Sequence, residues 1–198
     1  MTASEIFRRN GDFKDSPLIT TIRRLHELFI DLDIPYAVIG GMAVVRNGAV
    51  RTTVDVDILT TRGGWNNVRV HNPRGLEVFS DHAVDTETGV DIDVLFPGDD
   101  WAMKIPLPDL PDPGEIGELD PLLGGYFSDL FHLIEIKTAV FIKKRDEDGI
   151  EVAAKDLADI VALTENNAER ITEHFIQSLH PEVREEYRRI AARLLDTR

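Results

Sequence analysis

The chain predicts an α+β fold in which a strand-rich first part leads into a helical C-terminal region. Three observations carry this. Residues 53–59 and 90–96 alternate apolar and acidic side chains with a period of two, the pattern of strands with one buried face. Residues 17–32 repeat apolar side chains at spacings of three and four, the pattern of an amphipathic helix. From Ser128 onward nearly every segment carries that helical spacing.

The first helix spans Pro17 to Leu32, with Leu18, Ile22, Leu25, Leu28 and Phe29 on its apolar face. Pro17 suits the first helical position, behind Ser16 or Asp15 as cap. Tyr36 to Ile39 is a short buried strand that ends at Gly40-Gly41. Met42 to Arg46 begins a short helix, and Asn47-Gly48 is a turn signal. Thr53 to Leu59 is a strand with Val54, Val56 and Ile58 on one face and Asp55 and Asp57 on the other. Thr61 to Asn72 contains Gly63-Gly64 and few apolar residues, so it reads as irregular. Leu76 to Phe79 is a short strand, and Val90 to Phe96 another, with Val90, Ile92 and Val94 opposite Asp91 and Asp93. A turn at Thr88-Gly89 is expected to join these two as a hairpin.

Residues 97–125 hold six of the ten prolines and five of the fourteen glycines, which predicts an extended surface loop. Helices are expected over Ser128–Arg145, Ala153–Leu163, Ala168–Leu179 and Pro181–Leu195. The division is thus a core over 1–125 and a helical region over 126–198 packed on it as one structural unit.

Composition removes several functional classes. With 42% hydrophobic and 29% charged residues, the 198-residue chain has the material for a packed core and is not of the disordered type. It has no cysteine, which excludes disulfides, thiolate metal sites and a thiol nucleophile. No apolar run reaches membrane-spanning length and the N-terminus shows no secretory pattern, so a cytoplasmic protein without membrane attachment is expected. The net charge of −14 opposes a broad, non-specific grip on nucleic acid.

The chemistry concentrates between Val38 and Leu59. A buried strand ends in Gly40-Gly41, thirteen residues follow, and the next strand presents Asp55 and Asp57. Glycines at a strand-to-helix turn let backbone approach a ligand without a Cβ in the way, and the helix start offers N–H groups suited to phosphate. Carboxylates two apart on a strand share a face about 6.5–7 Å apart. They repel unless a cation sits between them, and an oxygen-only donor set favours a hard ion such as Mg²⁺.

Ile39-Gly40-Gly41 and Asp55-Val56-Asp57-Ile58, with their thirteen-residue spacing, resemble the signature of the nucleotidyltransferase superfamily, which shares its core with the polymerase-β palm. Arg51-Thr52-Thr53-Val54-Asp55, Leu133-Ile-Glu-Ile-Lys137 and Lys155-Asp-Leu-Ala-Asp159 resemble motifs of the abortive-infection (AbiEii-type) toxin branch. The resemblance covers roughly residues 35–165 in scattered motifs. It implies a mixed β-sheet flanked by helices, with transfer of a nucleoside monophosphate from an NTP to an acceptor hydroxyl. Gly40 and Gly41 would hold the triphosphate. Asp55, Asp57 and a third carboxylate would ligate one or two Mg²⁺ ions, Mn²⁺ being the alternative. Both Asp91 and Asp93 are candidates for that third position; Asp93-Val94-Leu95-Phe96 fits the family pattern better. Arg51, Lys137 and Asp159 would serve nucleotide binding. The branch implies the tRNA 3′ end as acceptor and a cognate antitoxin as partner, with a small molecule or a protein hydroxyl as other acceptors. A non-catalytic nucleotide- or partner-binding module of the same fold is the alternative. Many relatives have an amphipathic helix where this chain has Thr61 to Asn72, so a trimmed core is expected.

Lys137 also stands out without the family. Leu130, Leu133, Ile134, Val140 and Phe141 lie within about 60° of it on a helical wheel. An ammonium on an apolar stripe either snorkels or reaches an anion. Asp156 and Asp159 share a helical face and are either its partners or solvated residues. Elsewhere the readings are plain. The six histidines show no metal-ligand spacing, His132 reads as a surface or packing residue, and Ser80-Asp81-His82 is not a triad. Residues 81–120 carry twelve acidic side chains against Lys104 and read as a solvated acidic stretch. Arg184, Arg188, Arg189 and Arg193 are balanced by neighbouring acids and support RNA binding weakly.

Overall fold

In the computed structural model, which describes residues 16–98 and 110–195, the first half runs α1 (Pro17–Asp31), β1 (Tyr36–Val38), α2 (Gly40–Arg46), β2 (Asp55–Thr60) and α3 (Arg62–His71). It continues as β3 (Leu76–Val78), β4 (His82–Asp85) and β5 (Val90–Leu95). The second half runs α4 (Pro113–Ile116), β6 (Gly117–Asp120), β7 (Gly125–Ser128), α5 (Leu130–Asp148), α6 (Ile150–Asn166), α7 (Glu173–Ser178) and α8 (Pro181–Leu195). The strands form one mixed seven-stranded sheet in the order β3-β4-β5-β2-β1-β7-β6. β2 is parallel to β5 and β1 to β7, and the other pairings are antiparallel.

The two faces of this sheet differ in kind. Val38, Val56, Ile58, Ile92 and Val94 point into the main core, which takes in Ile22, Leu25 and Phe29 of α1 and Trp65 and Val68 of α3. On the opposite face a smaller cluster of Ala37, Ile39, Leu59, Leu110, Ile116 and Ile136 covers the β1 side. Asp55 and Asp57 are half-buried at its border. The main core also contains Leu133, Phe141, Ile160, Leu163 and Tyr187, so one apolar cluster runs from the sheet through α5, α6 and α8.

Four expectations are corrected. Residues 62–71 are helical, not irregular, so no helix is missing from the core. Thr61 Oγ1 accepts the Gly64 N–H at 3.0 Å as the cap, and Asn72 closes the helix in the left-handed conformation at φ 49°. Burying Trp65 and Val68 outweighs the weak propensity of the two glycines. The hairpin closed at Thr88-Gly89 is β4–β5, and β3 pairs with β4. β4 has no counterpart among the strands the sequence predicts. The stretch 97–125 is only partly a loop: 110–125 contains α4, β6 and the start of β7, while 99–109 lies outside the described residues. Pro113 opens α4 behind Asp112, whose carboxylate accepts the Gly114 N–H at 2.8 Å, and Pro121 sits in the β6–β7 turn, so neither proline blocks pairing. Val54 lies just ahead of β2 and is exposed instead of sharing its apolar face.

Asp85 anchors α1 to the sheet. It is fully buried and accepts from Thr21 Oγ1 at 3.0 Å, Arg24 Nη1 at 2.6 Å, and the backbone N–H groups of Glu87 and Thr88 at 3.0 and 3.3 Å. Asp85→Ala orphans those donors and is expected to lower the unfolding free energy by about 2–3 kcal/mol, read by urea denaturation. A loss below about 0.5 kcal/mol, the range of a plain surface change, would show that these contacts contribute little.

Candidate active site

The turn after β1 folds directly onto the second aspartate of β2. Ile39 N–H donates to the Asp57 carbonyl at 2.9 Å, and Gly41 N–H donates to Asp57 Oδ2 at 3.3 Å. Gly40 has φ 57°, and a Cβ there would stand 1.9 Å from Asp57 Oδ2. A Cβ on Gly41 would stand 2.4 Å from Thr53 Oγ1. Both positions therefore exclude a side chain, one through conformation and contact, the other through contact alone. Gly40→Ala is expected to lower stability by about 1–3 kcal/mol, visible as a lower urea midpoint; an unchanged midpoint would show that the turn relaxes freely.

Because β2 and β5 are parallel and in register, Asp55 stands opposite Asp91 and Asp57 opposite Asp93. Adjacent strands lie about 4.8 Å apart, so four carboxylates share one patch of the sheet. Thr53 Oγ1 donates to Asp55 Oδ1 at 2.7 Å, fixing one of its oxygens. Burial raises the Asp57 pKa above the ordinary carboxylate value, and the neighbouring Asp55 charge raises it further; the Gly41 N–H and Lys137 oppose this, and Asp93 adds a small push upward. Asp93 is also raised, by burial first and then by the charges of Asp55 and Asp91. Asp93 is thus electrostatically coupled to both residues of the β2 pair.

A cavity of about 200 Å³ opens beside this patch. Gly40, Gly41, Asp55 and Asp57 line it from the sheet, Arg51 from the loop before β2, and Lys137, Lys144, Lys155 and Asp156 from α5 and α6. Lys137 is 9% exposed and reaches two carboxylates, Asp159 Oδ2 at 2.8 Å and Asp156 Oδ1 at 3.3 Å. Arg51 Nη1 meets the same Asp159 oxygen at 2.6 Å. Asp156 and Asp159 are therefore partners of Lys137, not solvated residues. Asp159 joins the site through Lys137 and Arg51 instead of lining the cavity. Asp93 is exposed on the same sheet face, outside that lining. A larger hollow of about 390 Å³, lined by Phe29, Tyr36, Pro113 and Tyr126 among others, contains none of the candidate site residues.

Lys144 was not anticipated, although it stands seven residues after Lys137, on the same helix face. Thr53 was seen only as part of a motif. Two other expectations resolve locally. His132 Nδ1 lies 2.7 Å from Asp129 Oδ2, and Asp129 also caps α5. On α8, Arg188 pairs with Glu173 and Glu185, and Arg189 pairs with Glu186. Arg193, Lys104 and Asp196 lie outside the described side chains.

Among the described residues, no three His, Asp or Glu side chains already stand in metal-ligand geometry. The donor chemistry nevertheless fits a hard divalent cation. Asp55 and Asp57 offer only oxygens, burial and then the Asp55 charge raise Asp57, and added positive charge would favour its ionised form.

No protein-family model matches the chain, and no curated protein matches it. Among solved structures it is similar to an antigenic nucleotidyltransferase-like protein from Paracoccidioides brasiliensis, with 17% sequence identity and a TM-score of 0.55. The match covers 91% of this chain and 88% of the other. The fold is nucleotidyltransferase-like.

Proposed function

We propose that the chain is a Mg²⁺-dependent nucleotidyltransferase that moves a nucleoside monophosphate from an NTP to an acceptor hydroxyl. The observation that carries this reading is the Gly40-Gly41 turn closed onto Asp57, with Asp55 beside it and cationic side chains lining the same cavity. A nucleotidyltransferase-like fold supports it by analogy.

In this reading Asp55 and Asp57, joined by Asp93, hold Mg²⁺, which when bound neutralises charge on the phosphate oxygens. The Cβ-free turn lets Asp57 and Thr53 pack directly against the backbone that lines the cavity. Lys137 and Arg51 offset the triphosphate's charge, and Asp159 holds both cations in place. Asp93, the more exposed carboxylate on this sheet face, accepts the proton of the acceptor hydroxyl as that oxygen attacks the α-phosphorus. Pyrophosphate leaves. The resemblance to the AbiEii-type branch favours the tRNA 3′ end as acceptor and a toxin–antitoxin setting. No described helix is long and apolar enough to cross a membrane, and a reaction that consumes NTP suits a cytoplasmic protein.

The test is transfer from each α-³²P-labelled NTP with Mg²⁺ and total cellular RNA, beside the Asp55→Ala/Asp57→Ala double variant. Label on RNA with the wild type alone is the expected result. Equal label with both proteins would overturn the assignment. NTP binding without label on RNA, small hydroxyl compounds or protein would favour the non-catalytic module.

A further inference from the structure

The hydroxyl of Thr53 sits between the glycine turn and the first carboxylate of β2. Thr53 is half-buried just ahead of that strand. Its Oγ1 stands where a Cβ on Gly41 would come within 2.4 Å of it, and the same oxygen donates to Asp55 Oδ1 at 2.7 Å. The acceptor is a carboxylate, so the bond is charge-assisted and belongs to the stronger kinds. Rotation about the last torsion of an aspartate is otherwise broad and roughly two-fold. A strong donor on Oδ1 therefore fixes the plane of the Asp55 carboxylate. The branched Cβ of threonine in turn restricts the donor itself.

Asp57 is held from the same side. Its Oδ2 accepts the Gly41 N–H at 3.3 Å, and Gly40 has no room for a Cβ beside that oxygen. Each carboxylate of the pair thus has one oxygen engaged by the turn or by Thr53: Oδ1 of Asp55 and Oδ2 of Asp57. The number of oxygens a carboxylate can offer bears on which ion it suits. Ca²⁺ takes roughly six to eight oxygens in a flexible shell and accepts carboxylates through one oxygen or both. Mg²⁺ demands near-ideal octahedral geometry, and Mn²⁺ favours the same oxygen-only octahedron.

Resting on the metal site of the nucleotidyltransferase reading, we propose that Thr53 is a positioning residue that makes Asp55 a one-oxygen ligand through Oδ2, and so tunes the pair to Mg²⁺ and Mn²⁺ over Ca²⁺. It acts through Asp55 and not on the nucleotide. Gly41 belongs to the same device, because a side chain there would displace the hydroxyl from Asp55. Partners that orient a metal ligand typically change metal affinity by about 10–100-fold when removed.

The test is binding of Mn²⁺ alone and of Ca²⁺ alone to the full chain by equilibrium dialysis, without nucleotide. Thr53→Val keeps the shape and removes the hydroxyl. It should weaken Mn²⁺ by about 10-fold or more and Ca²⁺ by less than about 3-fold, so that the preference for Mn²⁺ shrinks. Thr53→Ser restores the donor and should keep both ions within about 3-fold of the wild type. If Thr53→Val melts non-cooperatively, Thr53→Ala carries the test. Equal losses for the two ions would show a structural role for Thr53 and overturn the proposal. Unchanged Mn²⁺ binding in the valine variant, or a serine variant as weak as the valine one, would do likewise. In each of these cases the enzyme reading stands. A wild type that binds neither ion at millimolar concentration would overturn the metal reading of Asp55 and Asp57 and the proposal with it.

Discussion

Asp57→Asn is expected to cut nucleotidyl transfer by about 10³-fold or more while leaving the chain at least as stable as the wild type at pH 7. The two halves of this result share a cause. Asp57 is held in a place unfavourable to its own charge, with burial first and the Asp55 carboxylate second raising its pKa. Asparagine keeps an oxygen for the Gly41 N–H and removes the charge that repels Asp55. What the fold gains, the reaction loses, because the neutral amide no longer supplies an anionic ligand for Mg²⁺.

The pH dependence gives this a sign. An aspartate with a raised folded-state pKa keeps its proton in the native chain over a range where the unfolded chain has released it. Its contribution to stability is fully present below the unfolded pKa, near 4, and is lost as pH rises through the folded value. The stability advantage of Asp57→Asn should therefore be absent at low pH, open as pH rises from about 4 through the raised Asp57 value, and stay constant above it. Asp93, also raised, contributes in the same direction in both proteins. Urea denaturation from acid to neutral pH without metal reads the gap directly. Adding Mg²⁺ should then stabilise the wild type and not the variant, since a ligand that binds only the native state shifts the equilibrium toward it. A variant less stable than wild type at pH 7 would mean that the Gly41 N–H and Lys137 outweigh the repulsion. Retained transfer would remove Asp57 from the machinery.

How readable all this is from sequence depends on whether a residue's role leaves a period. The Asp55/Asp57 and Asp91/Asp93 strands were legible because burial on one face imposes strict alternation, and the fold class followed from them. β4 was not legible, because its inward side chains are Ala83 and Asp85, and a buried aspartate breaks the apolar pattern. α3 hid behind Gly63-Gly64, since its stability comes from Trp65 packing and a Thr61 cap, not from propensity. β6 and β7 hid in a proline- and glycine-dense stretch, of which Pro113 falls at a helix start and Pro121 in a turn. At the site, Lys137 was conspicuous because an ammonium on an apolar stripe demands a partner. Its two anions lie on another helix, however, and only the packing of α6 against α5 identifies them. Lys144 sits near the hydrated end of the same face, where a lysine attracts no notice.

The row of alternating charges along Arg51, Asp159, Lys137, Asp156 and Lys144 yields the second large effect, which is an asymmetry. Asp159→Ala removes the nearest anion of Lys137 and the anion held by Arg51, both within 3 Å. Lys137 is left sharing Asp156 with Lys144, the longer contact at 3.3 Å. With side-chain exposures of 6%, 11% and 12% for Asp159, Lys137 and Arg51, water compensates little. Stripping one partner from a buried pair is costly, and here a loss of about 2–4 kcal/mol is expected, part of the usual penalty being absorbed by Asp156. Lys137→Met behaves differently. It leaves Asp159 with Arg51 and Asp156 with Lys144, so no buried carboxylate is orphaned, and methionine fills the apolar stripe that the lysine stem crosses. Its expected cost is below about 1 kcal/mol. The double variant should then be more stable than Asp159→Ala alone, with a coupling of about 1–3 kcal/mol in a denaturation cycle. Both single variants should nonetheless weaken NTP binding, because each removes or releases a cation lining the cavity. Stability and binding would thus part company at Lys137 and move together at Asp159. If Lys137→Met destabilised the chain as much as Asp159→Ala while NTP affinity stayed unchanged, the row would be holding helices together and not phosphate.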